Sequence, residues 1–146
     1  MKINYEKYLR KNLINCFIDI LKNFELNGIQ DGHHLYITFD TQNSKVKIPK
    51  FLKSKYSKEM TIVIQYEFWD LIIKKKFFSI CLSFNGVKTN LEIPFDSIKS
   101  FADPYANFGL KLIDENIINE KTKKLIKKEN KKTSNEKSNV IQFKKN

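Results

Sequence analysis

Few side chains in this sequence stand at a spacing that would make or break bonds. His33 and His34 are its only histidines. Neighbours on an extended segment point to opposite faces, so the pair is not expected to share a metal ion. Cys16 and Cys81 are its only cysteines, far apart and each inside an apolar periodic segment. They read as two buried free thiols in a reducing compartment, with a disulfide as the alternative. The four glycines form no phosphate-cradling loop, and no serine sits in a nucleophile-elbow setting. No catalytic residue, metal or cofactor is expected, and the chain does not read as an enzyme. What remains is the chemistry of recognition. Gln65 ends the apolar run Met60-Thr61-Ile62-Val63-Ile64 and is followed by Tyr66, Phe68 and Trp69, the only tryptophan. An amide ringed by aromatics serves either as a cap on a strand end or as the floor of a peptide groove, and it needs hydrogen-bond partners in both settings.

The elements that must position this stretch follow from periodicity. Leu9, Leu13, Cys16, Phe17, Ile20, Leu21 and Phe24 recur at helical spacing, which predicts an amphipathic helix from Tyr5 to about Phe24 with Asn4 as a partial cap. Ile14 and Ile18 widen its apolar arc beyond what one small sheet needs, so either the sheet wraps the helix or a second subunit covers the rest. Asn27-Gly28 ends it. His34–Asp40 alternates as a half-buried strand, Val46–Ile48 reads as a short strand, and Pro49 opens a one-turn helix. The run at 60–64 suits a strand buried on both faces. Lys74–Lys76 reads as a solvated turn. Phe77–Phe84 alternates, Asn85-Gly86 is a hairpin turn, and Val87–Ile93 returns. Phe95–Phe101 has the look of a short helix, and Phe108–Leu112 of a last strand. One leading helix followed by closely spaced strands predicts a mainly β domain, a small, partly open barrel with a helix across it.

Composition bounds the rest. The chain has 146 residues, 12 Phe and 6 Tyr, enough for one domain with a core. Neither an apolar leader nor a stretch of membrane-spanning length is present, so a soluble, cytoplasmic protein is expected. A net charge of +11 invites a nucleic-acid reading, but Arg10 is the only arginine among 27 basic residues. Arginine is the side chain that makes bidentate contacts to phosphate and guanine. From Asp114 onward Lys, Asn, Glu and Ser prevail. Residues 114–139 are expected to be a disordered basic linker. The end recovers an apolar cluster, Val140-Ile141-Gln142-Phe143, that looks like a docking motif.

Four blocks carry a resemblance: His33–Phe39, Leu52–Tyr56, Glu59–Leu71 and Phe77–Ser79. With the terminal Val140–Lys145, they resemble the stringent starvation protein B (SspB) family in its alphaproteobacterial form. The resemblance implies an adaptor that delivers proteins bearing the ssrA degradation tag to the ClpXP protease. It implies an Sm-like, partly open β-barrel that forms a homodimer and holds the tag in a groove. Residues 1–113 would be the tag-binding and dimerisation domain, 114–139 the linker, and 140–146 the motif for the N-terminal zinc-binding domain of ClpX. Gln65 matches a tag-recognition position, with Tyr66 beside it, and Leu82 lies on the groove wall with Ile80 and Phe84 on the same face. Val140, Ile141, Phe143 and Lys144 fall on the docking motif, and Ile14, Phe17 and Ile18 are the candidate dimer contact. The chain departs from the family pattern in its basic linker, and in Ile141-Gln142-Phe143 where a leucine–acid–glutamine–phenylalanine run is more usual. The alternative reading is an Sm-like RNA-binding module.

Overall fold

The computed structural model describes residues 2–112. A 23-residue helix, α1 (Tyr5–Asn27), leads the chain. Asn4 caps it by accepting from the Lys7 amide at 3.1 Å, and Gly28 ends it at φ 75° with its N–H donating to Phe24 O. Seven strands follow: β1 (Leu35–Asp40), β2 (Glu59–Ile64), β3 (Phe68–Ile73), β4 (Phe77–Phe84), β5 (Val87–Pro94), β6 (Ile98–Asp103) and β7 (Phe108–Lys111). A short helix, α2 (Lys50–Lys55), lies between β1 and β2, and 3₁₀ turns flank β6. One sheet has the order β2-β1-β6-β7 and the other β3-β4-β5. All pairings are antiparallel and the sheets do not close into a barrel. The expected fold, mainly β with one N-terminal helix and an open architecture, is the fold observed.

Phe17 explains how one helix serves two sheets. Fully buried, its ring meets Phe78 of β4 at 5.8 Å, Phe101 of β6 at 5.0 Å and Phe95 at 6.3 Å between centroids. Edge-on and tilted aromatic contacts of this kind add to the apolar area removed from water. The core continues through Leu21, Ile37, Phe39, Ile64, Ile80, Leu91 and Ile93. The sheets therefore wrap the helix, one of the two arrangements that its wide arc allowed.

Several elements differ from expectation. β2 buries one face only: Met60, Ile62 and Ile64 are inside, whereas Thr61 and Val63 are exposed. It lies at a sheet edge, and an unbroken apolar run looks alike on edge and central strands. The segment expected to be a short helix supplies instead the 3₁₀ turn Phe95–Ser97 and β6, an interior strand paired with β1 and β7. Ile98 and Phe101 stand three apart as on a helix face, but the two neighbouring ladders satisfy the backbone and decide the matter. Phe68–Ile73 is a strand in its own right. Val46–Ile48 makes only a bridge, Lys47 with Glu92, through backbone bonds of 2.9 and 3.0 Å. Cys16 and Cys81 are free and half-buried, not buried: Cys16 packs against the edge of the core, and Cys81 alternates with the buried Ile80 and Leu82 on the other face of β4.

Candidate functional site

The chain leaves the first sheet at Ile64 and enters the second at Phe68, so residues 65–67 cross between them. That crossing and the far end of β4 bound an open cleft of about 490 Å³. Thr61, Ile62 and Val63 form one wall, Gln65, Tyr66 and Glu67 one end, and Leu82, Ser83 and Phe84 the other wall. The far wall is held in place by a tight hairpin. Asn85 and Gly86 adopt φ 53° and 81°, the two positive values that a two-residue turn requires, and they fix the register Phe84↔Val87. At the other end of the same strand pair, Pro94 accepts a hydrogen bond from Ser97 Oγ at 2.7 Å.

Of the residues expected on a groove, the fold brings Gln65, Tyr66, Leu82 and Phe84 together. Gln65 is half-buried, Tyr66 is exposed, and Leu82 and Phe84 are buried and half-buried. Ile80 is placed elsewhere. It is fully buried in the core, because the strand runs from the cleft into the interior two residues before Leu82. Thr61, Ile62, Val63, Glu67 and Ser83 line the cleft as well and were not expected there. The signal was available for two of them: Thr61 and Val63 alternate with Met60, Ile62 and Ile64. Trp69 lies outside the cleft; it pairs with Cys81 across the ladder, with Lys88 Nζ 4.1 Å above its ring.

For a contact between subunits, Ile14 and Ile18 are half-buried and still present surface, while Phe17 is spent inside the core. The open apolar side of α1 lies nearer its start, at Tyr5, Tyr8 and Leu9, which are 70%, 61% and 55% exposed. Val140, Ile141, Phe143 and Lys144 lie outside the described residues.

The charged groups act locally. Arg10 donates to backbone carbonyls of Asp96 (3.1 Å), Ile98 (3.3 Å) and Leu112 (3.4 Å), tying α1 to one end of the β6–β7 pair, where β6 begins and β7 ends. Asp96 accepts from Lys45 Nζ at 2.8 Å and from Asn43 at 3.0 Å. The Lys45 bond holds its carboxyl below the usual aspartate range. Burial opposes that shift, while Asn43 and the charges of Lys45 and Arg10 add to it. His33 meets Asp103 at 2.7 Å and packs edge-on to Tyr105, and His34 is held by Gly32 O at 3.1 Å. Among the described residues no helix is long and apolar enough to cross a membrane.

With this geometry in view, comparison with known proteins gives one finding. Residues 5–145 match the family described as SspB, stringent starvation protein B. No curated protein matches the chain.

Proposed function

The chain belongs to the stringent starvation protein B family, a family of protease adaptors, and we propose that it captures ssrA-tagged polypeptides in the cleft beside Gln65 and hands them to ClpXP. The observation that carries this reading is the convergence of Gln65 and Tyr66, from the crossing between sheets, with Leu82 and Phe84, from β4, on one cleft. An apolar wall with one amide and one phenol suits an extended peptide, whose alternate side chains enter pockets while its backbone seeks partners.

Residues 140–146 would dock on the zinc-binding domain of ClpX, and 114–139 would serve as the tether. A 26-residue polar linker has an r.m.s. span of about 25–30 Å and gives an effective concentration on the order of millimolar. Dimerisation through the α1 surface, with Ile14 and Ile18 as contacts, would present two tails to the unfoldase. Its place of action would be the cytoplasm. The RNA-binding alternative finds little support in the fold. The only arginine is committed to three carbonyls.

The test is fluorescence anisotropy of a labelled ssrA-tag peptide titrated with the protein. Saturable binding is expected, weakened about tenfold by Gln65→Ala through loss of one or two hydrogen bonds, and unaffected by added RNA. A folded protein that binds no tag, or a tag that RNA displaces, would overturn the reading.

A further inference from the structure

The four strand edges among the described residues are not equally protected. Exposed edges offer unpaired N–H and C=O groups, and folded proteins blunt them with bulges, lysine, proline or short length. β3 is broken by Asp70 at φ 52° and by a register shift between Trp69 and Ile72. β5 carries Lys88 and Pro94, and β7 is four residues long and ends on Lys111. β2 has none of these over Met60–Ile64. Its ladder with β1 runs without a shift from Asp40↔Glu59 to Leu35↔Ile64. Among the described residues its other edge makes no backbone hydrogen bond.

That bare edge is a wall of the cleft. Successive side chains of a strand point to opposite faces, so a cleft lined by Thr61, Ile62 and Val63 in a row runs along the strand's edge, where the backbone lies. The opposite wall is of the same kind. β3 begins at Phe68, opposite Leu82, so Ser83 and Phe84 have no partner on that side. The cleft is thus a slot between two open edges, closed at one end by residues 65–67. The slot is bounded on one side by β2 and on the other by the end of β4.

The slot is also charged against the trend of the molecule. Within a chain of net charge +11, Glu67 is the one charged residue lining it. Glu67 is exposed and, among the described residues, in no ion pair. Lys88, across the ladder from Ser83, holds its ammonium over Trp69.

Resting on the peptide-binding reading above, we propose that the peptide enters as an added β-strand on the free edge of β2, with a basic or uncharged residue, not an acidic one, beside Glu67. The ligand class is therefore an extended segment with unblocked amides at alternate positions and no negative charge at one defined place.

The experiment uses the full chain and two series of fluorescein-labelled ssrA-tag peptides. One series carries a backbone N-methyl group at each position in turn; the other carries Lys, Gln or Glu at each position in turn. The unmodified peptide is the control. N-methylation is expected to weaken binding about tenfold at every second position and little between them. Glu at one position is expected to weaken binding about threefold to fivefold relative to Lys, and Glu67→Lys to invert that order. Binding of the control without the two-residue period, or without inversion by Glu67→Lys, overturns the proposal and leaves the tag-binding reading standing. Failure of the control to bind overturns both.

Discussion

Phe17 sits where a single ring reaches both sheets, touching Phe78, Phe95 and Phe101 with no surface left exposed. Removing it leaves a cavity between two sheets that cannot both collapse onto it. Phe17→Ala is expected to cost about 3–5 kcal/mol in urea unfolding, and a loss under about 1 kcal/mol would show that the ring is not the central contact. Asp96 acts at the same scale through charge. Its carboxyl is held below the ordinary range in the folded protein, first by the Lys45 bond. The stabilisation is therefore complete above the ordinary aspartate value, and is lost as pH falls from there through the lowered one. Both side chains are more than half exposed, so the effect is expected to stay below about 1 kcal/mol. Asp96→Asn should flatten this part of the acid limb of a stability–pH curve. An unchanged limb would show that the Lys45 contact does not persist in solution.

At the scale of elements, the β4–β5 hairpin sets the position of Leu82, Ser83 and Phe84, and hence one wall of the cleft. Its turn rests on two residues at positive φ. A Cβ at Gly86 would meet nothing within 4 Å, so the cost of Gly86→Ala is the backbone's alone. It is expected to be about 1–2 kcal/mol, with a parallel loss of tag affinity as the wall loosens. Lower stability with full affinity would mean that the wall is set by the core beneath it. The Asn85-Gly86 turn and the alternation of β4 were plain in the sequence because local backbone chemistry dictates them. β6 was not, since its strand character comes from the ladders on either side, and Ile98 and Phe101 fit a helical period equally well.

For the whole molecule, the proposed adaptor separates capture from delivery. In that proposal capture would belong to the folded body, and delivery to the motif at 140–146 acting through the tether. Deleting residues 140–146 is expected to abolish ClpXP-dependent degradation of a tagged substrate while leaving the anisotropy titration unchanged. A truncated protein with weakened tag binding would place part of the groove in the tail. Dimerisation, if it uses α1, has Tyr5, Tyr8 and Leu9 available beside Ile14 and Ile18.

The sequence by itself determined the leading helix, the hairpin, the one-sided alternation of β1 and β4, and the family, because each is written in local spacing or in residue order. It also singled out Gln65, whose polarity interrupts an apolar run. Only the tertiary structure decided that β2 is an edge strand and not a central one, that Phe17 belongs to the core, and that Ile80 lies in the core and not on the cleft. Burial and edge position depend on which strands come to lie alongside, and those neighbours are distant in the chain: β1 beside β6, and Gln65 across from Leu82. A run such as Met60–Ile64 has the same apolar residues in either setting. What differs is whether a second ladder covers its backbone, and here none does among the described residues.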